Sequence, residues 1–238
     1  MPRVFLAAEW RDLIIASYAV NAELLIPRLP PGLELDRFDG KAVCSLVGFR
    51  FLQTRVFGVK WPGLVNFPEI NLRFYVRDPA TGRRGVVFIR ELVKSRLVAS
   101  VARTLYNEPY FKAEIGETID RKDSSLILEY DFSVNGGRGS IGVEAHPDPF
   151  TPPEDSAEHW FKEHQWGYGV SKRGKPIRYE VRHPVWACHE VRWSSMSVNW
   201  ARVYGPEWEF LHDQLPLSVV LAVGSRIEVC TAERAGTQ

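Results

Sequence analysis

The segment from Phe67 to Val76 alternates strictly between apolar and polar side chains, and this alternation constrains the fold more than any other feature of the chain. Successive side chains of a β-strand point to opposite faces, so each set shares one face. The apolar set is Ile70, Leu72, Phe74 and Val76. The polar set is Glu69, Asn71, Arg73 and Tyr75. A carboxylate, an amide, a guanidinium and a phenol in line are typical of a polar cavity wall, so the pattern predicts where a small molecule binds.

Length and charge restrict the class of protein. The 238 residues fit one large β-rich domain, and no repeat, low-complexity segment or long linker divides them. We therefore expect a single domain over residues 1–232, followed by a flexible tail over residues 233–238. A formal net charge of +1 gives no general reason to expect a nucleic acid or an anionic membrane as a partner.

The cysteines and the hydropathy pattern indicate a cytoplasmic protein. The three cysteines are isolated in apolar or strand-like runs, which favours buried reduced thiols over a disulfide framework or a zinc site: Cys44, Cys188 and Cys230. No run approaches the roughly 20 apolar residues of a membrane span. The apolar core of the N-terminal segment is too short for a signal peptide.

Turn signals and hydrophobic periodicity predict a mainly antiparallel β domain with a few peripheral helices, either a barrel or a sandwich. The predicted strands cover residues 33–38, 42–52, 67–76, 85–92, 110–115, 125–134, 138–145, 177–181, 185–193 and 218–230. The predicted helices cover residues 22–26, 95–106 and 206–215, and one further helix begins at the capping-box spacing of residues 151–154. Asp39-Gly40 is a strong signal for a hairpin turn between the first two strands.

Short motifs follow one another in a fixed order along most of the chain. They are Leu29-Pro30-x-Gly32-Leu33-Glu34-x-Asp36, Asp39-Gly40, Glu69-x-Asn71-x-Arg73-x-Tyr75-Val76, Gly85-Val86-Val87-Phe88, Tyr106-x-x-Pro109-Tyr110-x-x-Ala113, His183-Pro184-x-Trp186 and Ala222-x-Gly224-Ser225. Each is moderately specific, but their order resembles the YqjF-like family of uncharacterised proteins. That family is similar to acetoacetate decarboxylase, and the resemblance implies its fold, a cone-like antiparallel barrel around a polar pocket.

The resemblance also bears on catalytic residues. In acetoacetate decarboxylase a lysine forms a Schiff base with a β-keto acid, and an adjacent lysine lowers its pKa. Glu69 corresponds to a glutamate of that pocket, whereas the Pro-Lys-Lys segment falls on Pro109-Tyr110-Phe111. Both lysine positions are therefore replaced. Lys112, two residues beyond Tyr110 and on the same side of a strand, is the remaining candidate nucleophile.

Two interpretations of the polar stripe remain open. Glu69 and Arg73 could pair with each other and brace the barrel interior. Alternatively, Arg73 binds a carboxylate bidentately and Glu69 acts as an acid or base. The candidate catalytic residues are Glu69 and Lys112, and the candidate substrate-binding residues are Asn71, Arg73, Tyr75 and Tyr110. The spacing of the histidines is unlike that of zinc motifs, so we expect neither a metal nor another cofactor.

The function predicted from these residues is binding of a small organic acid or carbonyl compound in a polar barrel pocket. Lyase-like or acid–base chemistry without the usual lysine pair is the natural activity for such a site. One alternative is a non-catalytic ligand-binding or sensor module, and another is a structural or interaction protein with a filled barrel. The resemblance further implies self-association into a homo-oligomer.

Overall fold

The computed structural model describes residues 3–95 and 109–235, and most of them lie in strands. The strands are β1 (Val4–Ala19), β2 (Glu34–Leu35), β3 (Val43–Val56), β4 (Phe67–Arg77), β5 (Arg84–Val93), β6 (Tyr110–Lys112), β7 (Glu114–Arg121), β8 (Leu126–Val134), β9 (Gly137–Phe150), β10 (Trp166–Val170), β11 (Pro176–Arg182), β12 (Cys188–Val198), β13 (Ser218–Cys230) and β14 (Glu233–Arg234). Short α-helices cover Ala22–Leu25, Ala157–Lys162 and Trp200–Val203, and 3₁₀ helices cover Ile26–Arg28 and Pro206–Asp213.

The strands form one mixed sheet that closes partly on itself. Hydrogen-bonded neighbours follow the order β11-β10-β5-β4-β3-β1-β13, and a further pairing of β11 with β13 closes this path into a ring. Strands β12, β9, β8 and β7 continue from β13. Most pairs are antiparallel, but β5 pairs in parallel with both β6 and β10. The mainly β, cone-like architecture predicted from the sequence is therefore confirmed.

Two separate interiors lie on the two faces of the ring strands. Leu72 of β4 is fully buried in the outer core together with Leu128 and Tyr130 of β8, since the β7–β9 extension packs over the ring. Glu69 and Asn71 are each 2% exposed and lie on the opposite face of β4, inside the ring. The alternation of residues 67–76 thus divides an apolar core from the ring interior, as predicted.

Strand β1 is absent from the predicted elements although it lies at the centre of the ring, between β3 and β13. Its pairing with β3 shifts register between Arg11 and Ile14, and Asp12 has a φ of 57°. The bulge interrupts the period-two pattern that would have marked the strand. Asp12 is buried and forms ion pairs with Arg50 and Arg121, which compensate its charge.

The hairpin predicted around Asp39-Gly40 is only partly correct. Both residues have positive φ, 48° and 72°, as the turn signal requires, but the turn joins just the isolated bridge from Phe38 to Lys41. The preceding strand β2 is short and pairs with β4, where Glu34 lies opposite Arg77. The turn was therefore predicted correctly, whereas the partner of the strand was set by the ring.

Two predicted helices begin at the expected residues, Ala22 and Pro206, whereas the helix predicted from the capping box begins later. Asn21 caps Ala22–Leu25 as predicted, accepting a hydrogen bond of 3.0 Å from the Glu23 amide. The later helix is capped by Ser156, whose hydroxyl accepts from the His159 amide at 3.1 Å, and not by the residues at 151–154. The helix predicted over 95–106 lies almost entirely outside the described residues. Strand β14 occupies part of the segment predicted to be a flexible tail.

We expect Gly224→Ala to lower the free energy of unfolding by about 3 kcal/mol, because overpacking adds to backbone strain. Gly224 has a φ of +77°, and an added methyl group would overlap the Trp10 carbonyl oxygen across the β1–β13 pair. Gly63 has the same φ with no atom within 4 Å of the added methyl group, so Gly63→Ala should cost only about 1 kcal/mol. Urea unfolding followed by circular dichroism measures the free energy of unfolding of both variants. An equal decrease in the two variants would contradict the steric explanation.

Candidate functional site

The ring encloses a cavity of about 120 Å³. Strands β1, β3, β4, β5, β6, β10, β11 and β13 contribute side chains to its wall, together with the segments next to them. Most of the lining is aromatic or aliphatic, and seven lining residues supply the polar and charged groups that matter for the site: Thr54, Glu69, Asn71, Arg73, Glu91, Tyr110 and His164. An apolar cavity with a few convergent polar groups is the usual form of a small-molecule site.

Glu69 lies at the centre of the polar cluster. Its Oε1 accepts a hydrogen bond of 3.1 Å from the Asn71 side-chain amide, and its Oε2 accepts one of 3.2 Å from the Tyr110 hydroxyl. Asn71 follows Glu69 by two residues on β4, so the strand period brings both side chains to one face. Tyr110 arrives from β6, which pairs in parallel with β5. These contacts hold the Glu69 carboxyl group in one orientation.

The environment of Glu69 favours its protonated form up to neutral pH. Burial raises the pKa of Glu69 from 4.5 to about 7, while the hydrogen bonds from Asn71 and Tyr110 and the positive charge of Arg73 lower it by smaller amounts. A carboxyl group with a pKa near the working pH can both donate and accept a proton. Glu69 is therefore equipped for acid–base chemistry.

The other polar groups of β4 are incompletely hydrogen-bonded. The Arg73 Nη2 donates to the Phe161 carbonyl oxygen at 3.3 Å, whereas its buried Nε has no hydrogen-bond partner within the described ranges 3–95 and 109–235. The same holds for the buried Oδ1 of Asn71. Leaving a buried polar atom without a partner costs about 1–3 kcal/mol. The cluster thus has unused donor and acceptor capacity at the cavity wall, which a fully paired bracing network would lack.

His164 belongs to the cavity wall but was missed as a site residue. It is 9% exposed, and neither of its ring nitrogens has a hydrogen-bond partner in the part of the chain that the structure describes. Burial, and to a lesser extent the charges of Arg84 and Arg73, lower its pKa well below the ordinary value, so the imidazole is neutral. No sequence pattern marks His164 as a cavity residue, because it lies in the loop between the helix Ala157–Lys162 and β10.

Glu91 is the second missed residue. It lies opposite Asn71 in the β4–β5 pair, lines the cavity and is 2% exposed. A carboxylate inside a largely apolar strand was the available signal, since β5 itself was predicted correctly.

Two predicted site residues, Tyr75 and Lys112, do not line the cavity. The Tyr75 hydroxyl lies 2.6 Å from the Ser45 hydroxyl, and its ring packs on Trp160 and His164, so Tyr75 supports the wall from behind. The Lys112 side chain is 47% exposed, and its Nζ lies 3.5 Å from Glu114. Lys112, a candidate catalytic residue from the sequence, therefore does not line the cavity, and its ammonium group faces the surface.

The closed ring of strands, with its interior cavity and buried carboxyl group, has the architecture of the acetoacetate decarboxylase-like proteins. A structure of acetoacetate decarboxylase from Legionella pneumophila superposes with a TM-score of 0.69 over 98% of this chain and 87% of that chain, at 13% identity. The enduracididine biosynthesis enzyme MppR complexed with pyruvate superposes with a TM-score of 0.68 over 99% and 91% of the two chains, at 16% identity. These similarities establish the fold.

Sequence comparison establishes the family. The model of DUF2071, described as an uncharacterized conserved protein, matches residues 7–226, and the chain belongs to this family. The uncharacterized protein YqjF of Bacillus subtilis (strain 168) is 30% identical over 194 residues, which cover 80% of this chain and 77% of YqjF. The resemblance predicted from the motifs is confirmed. Among the described residues, no helix has the length and hydrophobicity needed to cross a membrane.

We expect Glu69→Gln to remove a pH-dependent loss of stability. Because folding raises the pKa of Glu69 from 4.5 to about 7, its contribution to stability is fully present below pH 4.5 and is lost as the pH rises to 7. Between pH 4.5 and pH 8, the free energy of unfolding should fall by about 3 kcal/mol more in the wild type than in the variant. Urea unfolding at both pH values measures the difference. Glu114→Gln is the control, since that side chain is 77% exposed, and equal pH slopes in wild type and Glu69→Gln would contradict the assignment.

Proposed function

We propose that the protein binds a small organic acid with a carboxylate and a carbonyl or hydroxyl group in the ring cavity. Arg73 holds the carboxylate, because its guanidinium borders the cavity and its Nε retains an unused N–H within the described chain. Asn71 accepts a hydrogen bond from a hydroxyl or enol of the ligand through its Oδ1. The observation that carries the proposal is this unused hydrogen-bonding capacity of two buried atoms, the Asn71 Oδ1 and the Arg73 Nε, on neighbouring side chains of one cavity wall.

The structural neighbours support the ligand class. Pyruvate, which is bound in the MppR complex, combines a carboxylate with an adjacent carbonyl, and MppR shares the fold of this chain. The cavity also argues against a ring filled by its own side chains, which was the structural alternative. We further propose a cytoplasmic location, which the reduced, buried state of all three cysteines supports, while self-association stays a prediction.

Arg73→Gln should weaken binding of a 2-oxo acid at least tenfold, because a hydrogen bond to a charged group contributes about 1.5–3 kcal/mol. Isothermal titration calorimetry with a set of 2-oxo acids gives the affinities. Arg77→Gln is the matched control on the same strand, since Arg77 is 53% exposed and pairs with Glu34 at the surface. Undiminished binding by Arg73→Gln, or an equal loss in Arg77→Gln, would contradict the proposed role of Arg73.

A second candidate function is proton transfer at the carbon next to a carbonyl, and the raised pKa of Glu69 favours it. Ionised Glu69 takes the proton from that carbon, the electron pair of the C–H bond moves toward the carbonyl oxygen, and an enolate forms. The Arg73 cation stabilises the negative charge. Reprotonation by Glu69 restores the carbonyl compound. This chemistry needs no Schiff-base lysine, in keeping with the surface position of Lys112.

If the protein catalyses this step, the wild type should exchange the C3 protons of a 2-oxo acid for deuterium in D₂O, measured by NMR. Glu69→Gln should slow the exchange by a factor of about 100 or more, a typical contribution of a general base. Lys112→Met should exchange at the wild-type rate. Absence of exchange by the wild type would leave a binding module, whereas loss of exchange in Lys112→Met would restore a catalytic role for the lysine.

A further inference from the structure

We infer that the ligand is a small 2-hydroxy acid, in which a hydroxyl group lies next to the carboxylate, rather than a 2-oxo acid such as pyruvate. This inference rests on the proposed function, because Arg73 is taken to hold the carboxylate. It deepens that proposal by choosing between the hydroxyl and the carbonyl group that the proposal leaves open. The hydrogen-bonding atoms of the wall beside Arg73 carry it.

The wall beside Arg73 presents hydrogen-bond acceptors to the cavity. Asn71 precedes Arg73 by two residues on β4, both line the cavity, and Glu91 lies opposite Asn71 in the β4–β5 pair. The Asn71 Nδ2 already donates to Glu69 at 3.1 Å, whereas the buried Oδ1 of the same amide has no partner in the described chain. Amide and carboxylate oxygens accept hydrogen bonds. A ligand group that lies against this wall should therefore be a donor.

His164 adds one donor and one acceptor to the same cavity. Its ring is held against Tyr75 and Trp160, with centroid distances of 4.7 and 5.4 Å. Both of its buried ring nitrogens are without a partner among the residues that the structure describes. The imidazole is neutral, because burial and the charges of Arg84 and Arg73 lower its pKa well below the ordinary value. A neutral imidazole has one N–H group and one nitrogen with a lone pair.

The unused atoms of Asn71, Arg73 and His164 match the groups of a 2-hydroxy acid. The N–H groups of the Arg73 Nε and of His164 are donors, and they suit the two oxygens of a carboxylate. The Asn71 Oδ1 and the second His164 nitrogen are acceptors, and they require an O–H or N–H group. The hydroxyl of a 2-hydroxy acid supplies such a donor, whereas the carbonyl oxygen of a 2-oxo acid only accepts.

The spacing of Asn71 and Arg73 suits adjacent groups of one small ligand. Residues two apart in a strand lie roughly 7 Å from each other. A hydrogen bond joins its two heavy atoms over about 3 Å. A carboxylate oxygen and the hydroxyl on the next carbon can therefore contact the two side chains at once. A compact acid of this kind also suits a cavity of about 120 Å³.

The loss of a hydrogen bond at the Asn71 Oδ1 should make the cavity discriminate between the two classes of acid. A ligand group that displaces water without replacing its hydrogen bonds loses affinity. A carbonyl oxygen against the Asn71 Oδ1 would bring two acceptors together. A site that forms a hydrogen bond with a hydroxyl of its ligand rejects the analogue that lacks this hydroxyl, because the polar group of the site is then left unpaired.

Calorimetry with lactate, pyruvate and propanoate tests the inference on the wild-type protein. The three acids have equal carbon number and charge, and they differ only at C2. Both enantiomers of lactate are measured at pH 8, where most of Glu69 is ionised because its pKa is about 7, so it has no proton to donate to the carbonyl of pyruvate. We expect the tighter lactate enantiomer to bind at least tenfold tighter than pyruvate or propanoate. Equal affinities for lactate and pyruvate, or tighter binding of pyruvate, would overturn the inference.

Asn71→Leu tests the position of the hydroxyl, since leucine has a similar shape but no acceptor. The variant should bind lactate at least tenfold more weakly than the wild type and pyruvate with the same affinity. Tyr110→Phe is the matched control, because it also removes a hydrogen bond to Glu69 but leaves the Asn71 Oδ1 in place, so it should keep the preference for lactate. An unchanged preference in Asn71→Leu, or its loss in Tyr110→Phe, would contradict the role of the Asn71 Oδ1. If Asn71→Leu does not fold, the comparison of the three acids on the wild type decides.

The outcomes separate this inference from the proposed function. If lactate, pyruvate and propanoate bind alike and Arg73→Gln weakens the binding of all three, the hydroxyl is wrong and the carboxylate site stands. If none of the three acids binds the wild type, the proposed carboxylate site fails and the inference fails with it.

Discussion

Strand β4 separates an apolar outer core from a ring cavity that holds a few buried polar groups, and the rest of the structure depends on this separation. Leu72 and its apolar neighbours close the outer core under the β7–β9 extension, while Glu69, Asn71 and Arg73 face the ring cavity. The two-residue period of a strand permits both arrangements at once. A shift of one residue in register would bury the charges in the outer core, so the apolar face also positions the site.

The site combines a buried carboxyl group, Glu69, with neighbouring side chains whose hydrogen bonds are incomplete within the described residues. Burial makes Glu69 difficult to ionise, and Asn71 and Tyr110 hold its carboxyl group in place. Arg73 is close enough to influence that pKa but makes its described hydrogen bond to the Phe161 carbonyl oxygen. A cation, a protonated carboxyl group and a neutral histidine along the cavity wall are the features on which the proposed binding of an anionic ligand rests.

Local patterns predicted the strands that have clear alternation and turn signals, and failed where a bulge or a competing local signal interrupts them. The β4–β5 hairpin was predicted because alternation and a turn signal suffice to define it. Strand β1 was missed because the bulge at Asp12 breaks the alternation, and its ion pairs with Arg50 and Arg121 come from β3 and β7. Ser156 caps its helix in place of Thr151, which was predicted because the segment 151–154 has the spacing of a capping box.

The sequence by itself determined the mainly β fold, the family, and the polar stripe of β4, because strand period and motif order are local properties. Only the tertiary structure decided which polar residues share the cavity. The register of the β4–β5 pair places Glu91 opposite Asn71, and closure of the ring brings His164 into the same cavity, whereas Lys112 turns to the surface and Tyr75 packs against Trp160 and His164. These positions follow from pairings between segments remote in the chain, whose registers are set by packing of the whole sheet.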